Sequence, residues 1–532
     1  MGARRRGLRR GVALGTAALA VSAGLVPVAG AAPPNGPDSD LAATPVLDWT
    51  PCPSPPGARC ATAQVPLSYR DPGGPKISLA LMKRPARDPA NRIGTVFNNP
   101  GGPGSSGRVP PRLTPAVADR FDIVGFDPRG TNRSSPVTCS ADPADDAKLS
   151  PAFPVTEAEE TEAIRSVGEV TARCARHAGP LLGHMSTANV ARDLDLLRRA
   201  VGDRQLTYLG TSYGTHLGEV YANLYPGRVR AVVLDGVLDP REWTTGKRPG
   251  QGGEPFVHRI GSHLGAQAAL RTLLRECAAH AQCEFGGPGA TEQSLQRKYD
   301  DLLARLRQGP ITLTGAQGGK QEITYRELVD RMLRGLYGWD AAEFMTPFLQ
   351  RLHLAAQDPA AAAVPVRIPE ATAPRYAEEE PPIAWNTWWS AVACADSDNP
   401  RDPREVGRYA RAAEAEAPGF ASAWVYRSLV CSSWPVTDPD RYTGPWNKPT
   451  ANPVLLVGNR RGDPATPYED AAATSALLGR GRLLTADIAG HGVVYDGRNA
   501  CVDRWVDGYL TTLALPPEGT VCAAERGPFD PA

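Results

Sequence analysis

The sequence predicts an α/β fold, in which a mostly parallel sheet carries helices on both faces. Three observations lead to it. Short apolar strands alternate with amphipathic helices, a helix-rich stretch over residues 240–440 interrupts this alternation, and strands resume after it. Continuous apolar strands are typical of parallel sheets whose two faces are both covered by helices. The interruption predicts a large helical insertion, a lid, before the last strands.

The apolar strands fall into two groups separated by the insertion. Residues 93–97, 121–126, 206–209 and 229–234 precede it, and residues 453–457 and 482–486 follow it. Between them, the spacing of Val190, Leu194 and Leu197 predicts a helix over 187–201, with Gly202 as its stop. A second helix follows the strand at 206–209 and ends before Pro226.

Composition narrows the class of protein. The chain has 532 residues, of which 42% are hydrophobic and 22% charged, as expected for a globular core. Its 54 glycines and 52 prolines stay below the share of about 25–30% that is typical of low-complexity chains. The net charge of +1 argues against nucleic acid or an anionic membrane as the main partner.

The N-terminus has the pattern of a secretory signal. Basic residues at 4–10 precede an apolar stretch at 11–29, and Ala29-Gly30-Ala31 fits a cleavage site after Ala31. An uncleaved membrane anchor is the alternative, although the stretch is short for a membrane span. We therefore expect a secreted protein, free of the membrane after cleavage. The predicted organisation is a signal peptide (1–31), a flexible leader (32–45), a first core part (46–240), the lid (241–440) and a C-terminal core part (441–532).

Ten cysteines follow the signal, and this even number predicts disulfides in an oxidising compartment. Pairing of nearest neighbours would close five local loops. The predicted pairs are Cys52–Cys60, Cys139–Cys174, Cys277–Cys283, Cys394–Cys431 and Cys501–Cys522. A metal site is the alternative, but the sequence has neither a CxxC pair nor an HxxxH spacing. No metal and no cofactor are expected.

The strongest catalytic signal is the motif GTSYG at residues 210–214. It follows an apolar strand and opens a helix, which is the context of a nucleophile elbow. Small residues on either side permit the sharp turn that exposes the Ser212 hydroxyl. A glycine-rich helix start with a capping serine is the alternative. We predict that Ser212 is a nucleophile.

A serine hydroxyl needs a base, and the base needs an acid to orient it. His491 lies between two glycines after the last predicted strand and is the favoured base, with His216 as its rival. Asp463 follows the strand at 453–457 and is the favoured acid, with Asp235 as its rival. The order Ser, Asp, His along the chain fits the elbow context.

The oxyanion formed in acyl transfer needs backbone N–H donors. Tyr213, the residue after the nucleophile, would supply one. The glycine-rich loop after the strand at 93–97 would supply the other. Gly101 is the favoured donor in this loop, and Gly102 is the alternative.

Together these motifs resemble the secreted tripeptidyl aminopeptidases of the α/β-hydrolase fold, which are relatives of prolyl iminopeptidase. The motifs are NNPGGPG at 98–104, DPRG at 127–130, GTSYG at 210–214, GDPATP at 462–467 and GHG at 490–492. The resemblance implies a serine exopeptidase that releases short peptides from free N-termini, with Ser212, Asp463 and His491 as triad.

The resemblance also implies a lid that holds the α-amino group of the substrate with acidic residues. Cys394-Ala-Asp396 looks like a lid signature, which makes Asp396 a candidate anchor; a solvated acid beside a disulfide is the alternative. Prolyl iminopeptidases often carry Trp after the nucleophile, whereas Tyr213 stands here, so strict proline specificity is not expected. We expect a monomer that acts on peptides. A carboxylic-ester hydrolase and a catalytically silent binding protein on the same scaffold are the alternative functions.

Overall fold

The computed structural model describes Gly2 and residues 39–109, 111–140, 152–338, 341–369 and 382–529. Apart from Gly2, the predicted signal peptide lies outside the described residues, as does the first half of the predicted leader. From Ser39 onward the chain is attached to the core, because the buried Ser39 hydroxyl donates a hydrogen bond to Asp195 at 2.9 Å. No helix among the described residues has the length and apolar character that a membrane span requires.

The strands predicted from the apolar runs are all present. The described strands are β1 (Thr50–Pro51), β2 (Arg59–Pro66), β3 (Lys76–Arg84), β4 (Gly94–Asn99), β5 (Phe121–Phe126), β6 (Leu206–Thr211), β7 (Val229–Asp235), β8 (Ile311–Thr314), β9 (Lys320–Ile323), β10 (Val454–Asn459), β11 (Gly481–Asp487) and β12 (Val521–Ala523). Ten of them form one sheet in the order β1-β2-β3-β5-β4-β6-β7-β10-β11-β12.

This sheet is antiparallel at one edge and parallel elsewhere. The pairs β1–β2, β2–β3 and β3–β5 are antiparallel, and every other pair in the sheet is parallel. The parallel strands therefore all end at the same edge. In open α/β sheets, sites lie at this carboxyl edge, where the connecting loops converge.

Helices cover the sheet and fill most of the stretch between β7 and β10. They are α1 (Pro115–Ala118), α2 (Glu157–His177), α3 (Thr187–Ala200), α4 (Tyr213–Leu224), α5 (Pro240–Thr244), α6 (Phe256–Ile260), α7 (Ser262–Ala279), α8 (Glu292–Arg307), α9 (Tyr325–Gly335), α10 (Ala341–Gln357), α11 (Pro382–Asp396), α12 (Pro403–Ala413), α13 (Phe420–Val425), α14 (Leu429–Ser432), α15 (Tyr468–Leu477) and α16 (Ala500–Thr512). This confirms the helix predicted over 187–201. The antiparallel hairpin β8–β9 within the stretch was not predicted. The predicted lid boundaries at 241 and 440 stay predictions.

The sheet separates two apolar clusters, one on each face. Successive side chains of a strand point to opposite faces, so Val233 of β7 belongs to one cluster and Leu234 to the other. Every residue of β4 and of β10 is buried. This explains why residues 454–457 of β10 form a continuous apolar run in the sequence rather than an alternating one.

All five predicted disulfides are confirmed. The bonded pairs are Cys52–Cys60, Cys139–Cys174, Cys277–Cys283, Cys394–Cys431 and Cys501–Cys522. Cys394–Cys431 joins α11 to α14, and Cys501–Cys522 joins α16 to β12. Nearest-neighbour pairing succeeds here because each bridge closes a short local loop.

Candidate active site

Ser212 occupies a strained turn between β6 and α4. Its backbone has φ 58° and ψ −128°, a conformation that non-glycine residues rarely adopt and that costs about 1–3 kcal/mol. A Cβ at Gly210 would lie 2.3 Å from the Gly214 carbonyl oxygen, and one at Gly214 would lie 2.4 Å from the Asn99 oxygen. Both flanking glycines are therefore required by close backbone contacts. The geometry is that of a nucleophile elbow.

The elbow is held by its neighbours. The Ser212 N–H donates to the Asp235 carbonyl oxygen at 2.9 Å, which ties the turn to the end of β7. The Tyr208 hydroxyl donates to the Gly214 carbonyl oxygen at 2.7 Å. These bonds compensate for the strain at Ser212 and fix where its side chain leaves the backbone.

His491 and Asp463 are hydrogen-bonded to each other. The His491 Nδ1 lies 2.9 Å from Asp463 Oδ1 and 3.0 Å from Oδ2. An ionised carboxylate only accepts hydrogen bonds, so Nδ1 carries the proton and the Nε2 of a neutral ring is left as the acceptor. Asp463 is fully buried, and its Oδ1 also accepts the N–H groups of Ala465 and Thr466 at 2.9 Å each.

Two opposing effects set the pKa of His491. Burial lowers it by disfavouring the charged ring, whereas the charge of Asp463 and the hydrogen bond to it raise it. The second effect prevails, and the pKa of His491 lies above the ordinary value of 6.5. The carboxylate therefore favours the imidazolium, the state that a general base reaches when it accepts a proton.

Asp235, the rival acid, contacts the backbone of the histidine loop rather than the imidazole. Its Oδ2 accepts the N–H groups of Val493 and Val494 at 2.8 and 2.9 Å. Burial raises the pKa of Asp235 to about 6, against the lowering effect of these two bonds. The acid next to the ring is Asp463, and Asp235 supports the loop.

The loop that carries His491 lies against the elbow. A Cβ on Gly492 would be 3.4 Å from Thr211 Cγ2, and one on Gly236 would be 3.3 Å from His491 Cε1. Among the described residues, no hydrogen bond of 3.5 Å or less joins Ser212 Oγ to His491 Nε2. Catalytic hydrogen bonds are often long in ligand-free enzymes and shorten in the substrate complex.

The glycine-rich loop after β4 packs directly on Ser212. A Cβ on Gly101 would lie 2.9 Å from Ser212 Cβ and 3.0 Å from the Tyr213 nitrogen. The Gly101 N–H donates to Asn99 Oδ1 at 2.9 Å, so this donor already has a partner. No described residue accepts from the Gly102 N–H. Tyr213 is the first residue of α4, where an N–H has no acceptor within the helix.

Comparisons with known proteins show the family to which the chain belongs. The family model described as "alpha/beta hydrolase fold" matches residues 94–251, and the one described as "TAP-like protein" matches residues 416–522. The chain is 31% identical over 496 residues to the serine protease Hip1 of Mycobacterium tuberculosis, covering 90% of this chain and 91% of that protein. The chain belongs to the TAP-like family of α/β-hydrolases.

Two further relatives carry different names. The tripeptidyl aminopeptidase of Streptomyces lividans is 31% identical over 502 residues, which cover 91% of this chain and 87% of that protein. Carboxylesterase B of Mycobacterium tuberculosis is 31% identical over 480 residues, which cover 88% of this chain and 86% of that protein. The TAP-like fold at hand is thus shared by proteins named for peptide and for ester hydrolysis.

His216, the rival base of this TAP-like hydrolase, is buried away from hydrogen-bond partners. Neither ring nitrogen has a partner among the described residues, and Nδ1 lies 3.5 Å from Glu219 Oε2. The ring packs among Tyr213, Trp243 and Trp446, with centroids 5.7–6.4 Å away. Burial lowers the pKa of His216 to about 3, so the ring is neutral. Its surroundings are those of a core side chain.

Asp396 is buried beside Thr187 and Trp243. Its Oδ1 accepts the Thr187 N–H at 2.8 Å, and its Oδ2 accepts the Thr187 hydroxyl at 2.5 Å and the Trp243 Nε1–H at 3.1 Å. Burial raises the pKa of Asp396 to about 7, despite these three bonds. Its predicted role as an anchor for a substrate amine stays a prediction.

Two residues of the site were missed in the sequence. The Thr466 hydroxyl donates to Asp463 Oδ2 at 2.8 Å, and a signal for it was available, because an Asp often caps the turn formed by the next three residues. The Tyr337 carbonyl oxygen accepts a hydrogen bond from the backbone N–H of His491 at 3.0 Å. The rings of the two residues meet edge to face, with centroids 4.9 Å apart. Tyr337 follows α9 within the long insertion, so no local pattern connects it with His491.

One group of residues in the described part of the chain has the ligand types and the spacing of a metal site. Ligand atoms of His184, Asp438 and Asp440 lie within 4.8 Å of one another. However, Asp440 Oδ1 accepts from Arg70 at 2.5 Å, and Asp438 Oδ2 accepts the Ser186 N–H at 2.9 Å. The two carboxylates are therefore already bound to donors of this chain.

Proposed function

We propose that the protein is a serine exopeptidase that releases short peptides from free N-termini through an acyl-enzyme. One observation carries the proposal: a serine on a strained elbow lies beside a loop whose histidine is hydrogen-bonded to a buried aspartate. Relatives named serine protease and tripeptidyl aminopeptidase, which match about nine-tenths of the chain, support peptides as substrates. The triad assigned here is Ser212, Asp463 and His491.

In this mechanism the Ser212 Oγ attacks the scissile carbonyl carbon while His491 Nε2 takes the hydroxyl proton. The carbonyl oxygen becomes an oxyanion, and Asp463 stabilises the imidazolium. His491 then gives its proton to the leaving amine as the C–N bond breaks, which leaves an acyl ester on Ser212. A water molecule, deprotonated by His491, attacks this ester and releases the peptide with regeneration of the serine.

The oxyanion needs two donors at about 2.7–3.1 Å. We assign them to the N–H groups of Tyr213 and Gly102. Gly101 was the favoured residue in the sequence, but its N–H is bonded to Asn99, whereas the neighbouring Gly102 N–H has no described acceptor. The closeness of the Gly101 Cα to Ser212 still explains why a side chain is excluded at that position.

We further propose that the mature protein is secreted, is not bound to the membrane and acts as a monomer. The five disulfides support export, because such bonds persist in oxidising compartments. The helices between β7 and β10 would act as a lid that admits chain ends and excludes folded polypeptides. Tyr337, which follows α9 in this stretch, contacts His491, in keeping with that arrangement.

The test compares a tripeptidyl chromogenic amide with its N-acetylated form, using wild type and Ser212→Ala. We expect hydrolysis of the free amine form, at least tenfold slower hydrolysis of the blocked form, and neither with the variant. Equal rates for the two forms would refute the aminopeptidase. Labelling of both proteins by a fluorophosphonate probe would refute Ser212 as the nucleophile.

A carboxylic-ester hydrolase is the second candidate, favoured by the relative named carboxylesterase B. The same triad serves both reactions, since each proceeds by acyl transfer to serine. The two functions differ in the leaving group, and a p-nitrophenyl ester measured beside the peptide amide separates them. Rapid ester hydrolysis with no cleavage of any free-amine peptide amide would favour the esterase.

A further inference from the structure

A chain of buried hydrogen bonds runs from the residue after the nucleophile into the long insertion. The Tyr213 hydroxyl lies 2.6 Å from Thr187 Oγ1, and Thr187 Oγ1 donates to Asp396 Oδ2 at 2.5 Å. When Asp396 is ionised it can only accept, so the single hydroxyl proton of Thr187 goes to Asp396 and the Tyr213 hydroxyl donates to Thr187.

Trp243 closes this chain into a ring of contacts. Its Nε1–H donates to the same Asp396 Oδ2, and its ring lies 5.5 Å from the ring of Tyr213. The Thr187 N–H donates to the other oxygen, Oδ1. The four residues are at most 3% exposed. The phenol of Tyr213 is thus held at its hydroxyl by Thr187 and packs against the tilted ring of Trp243, and Asp396 accepts hydrogen bonds from both Thr187 and Trp243.

The held side chain and the oxyanion donor belong to one residue. Tyr213 begins α4, and its N–H points out of the helix start beside Ser212. Anchoring the phenol fixes the Tyr213 Cα and so the position of that N–H. Loss of one oxyanion donor typically lowers kcat by about 10²–10³-fold, so a displaced donor costs a part of that factor.

We propose that Asp396 and Thr187 are positioning residues that hold Tyr213, and with it the oxyanion donor and the elbow, in the productive geometry. This inference rests on the proposed function, which assigns the Tyr213 N–H to the oxyanion. It is an alternative to the predicted role of amine anchor for Asp396, and the hydrogen bonds that this carboxylate accepts from Thr187 and Trp243 support it.

The arrangement connects the insertion to the chemistry. Asp396 is the last residue of α11, which Cys394 joins to α14 through Cys431. Thr187 is the first residue of α3, next to the core sheet. The carboxylate therefore lies where an element of the insertion meets an element of the core, and Thr187 connects it to Tyr213.

The experiment compares Thr187→Val with Thr187→Ser, which differ in the hydroxyl. We expect Thr187→Val to lower kcat about tenfold while KM changes less than twofold, and Thr187→Ser to stay within about threefold of wild type. Tyr213→Phe removes the other hydroxyl of the same bond and should match Thr187→Val. It serves as the second variant if Thr187→Val does not fold, as judged by circular dichroism and Tm.

Asp396→Asn separates positioning from amine binding. Its amide nitrogen replaces one of the two acceptor oxygens, so at least one hydrogen bond from Thr187 or Trp243 is lost. We expect a fall in kcat of at least tenfold that is equal for a free-amine peptide amide and for p-nitrophenyl acetate, which has no amine. A rise in KM confined to the free-amine substrate would overturn the proposal and restore the anchor. So would a wild-type kcat in Thr187→Val.

The rate of fluorophosphonate labelling keeps this test independent of the peptide substrate. We expect Thr187→Val to label about tenfold more slowly than wild type, because the phosphonyl oxygen uses the same donors. Equal labelling rates would overturn the positioning role. If wild type labels in this Thr187-dependent way yet cleaves no peptide amide, the peptidase assignment fails and the positioning role stands.

Discussion

Two buried aspartates at the carboxyl ends of neighbouring parallel strands do different work. Asp235 ends β7 and accepts two backbone N–H groups of the histidine loop. Asp463 lies in the loop after β10 and accepts a hydrogen bond from the imidazole of His491, which the histidine loop carries. Both are 2% exposed or less. The two side chains are identical and are buried to a similar extent, so the difference in role comes from where the backbone places each carboxylate.

Asp235 belongs to a paired strand, whereas Asp463 belongs to a loop. Asp235 is paired in the sheet with Thr211 on one side and Val457 on the other, and its side chain accepts from the backbone of the histidine loop. Asp463 lies beyond the paired region and is held by its own turn, through the N–H groups of Ala465 and Thr466. A carboxylate in a loop can thus approach the ring without disturbing the sheet.

Substitution of Asp463 should have the largest effect. In Asp463→Asn the amide no longer demands a proton on Nδ1, so the ring takes the wrong tautomer, and we expect kcat to fall by about 10⁴-fold. Steady-state kinetics on the chromogenic amide measures this. Asp235→Asn is the matched control and should lose less than tenfold. The reverse order would exchange the roles of the two acids.

Removal of the Asp235 carboxylate should affect stability first. In Asp235→Ala the N–H groups of Val493 and Val494 lose their acceptor, and each unpaired buried donor costs about 1–3 kcal/mol of unfolding free energy. We expect kcat to fall about tenfold as the loop shifts. Urea denaturation measures the first effect. Asp235→Asn retains an acceptor oxygen and should keep most of the stability; an unchanged midpoint in Asp235→Ala would contradict the scaffold role.

Thr466 sharpens the comparison, because it supports only one of the two acids. Thr466→Val removes the hydroxyl that donates to Asp463 Oδ2, a bond worth about 0.5–1.5 kcal/mol. If it acts on the orientation of the acid, kcat should fall about three- to tenfold. Thr466→Ser should restore the rate. A loss of equal size in both variants would show that the methyl group matters rather than the hydroxyl.

The pH profile should show the smallest change. His491 must be neutral to act as a base, and its pKa is raised above 6.5, so kcat/KM should fall as the pH decreases through a value above 6.5. The same raised pKa stabilises the fold at low pH, and this contribution is lost as the pH rises through it. In Asp463→Asn the acid limb should move to lower pH. An unmoved limb would mean that another group controls it.

The sequence predicted features that depend on neighbouring residues better than contacts between residues far apart in the chain. The elbow followed from Gly210 and Gly214, because both glycines are required within one turn. The choice between Gly101 and Gly102 depends on which N–H the Asn99 side chain takes, and a sequence does not give side-chain orientation. Tyr337 was out of reach for a different reason: its contact with His491 exists only once the insertion folds over the sheet.

The hydrogen bond from the backbone N–H of His491 to the Tyr337 carbonyl oxygen has a consequence for engineering. A backbone oxygen of the insertion holds the backbone of His491 and so helps to place the imidazole. Substitutions of side chains leave this oxygen in the chain. Chimeras that graft another relative's insertion onto this sheet would inherit a different placement of the base along with a different pocket. Such grafts should preserve the path of the chain at residue 337 before any specificity is altered.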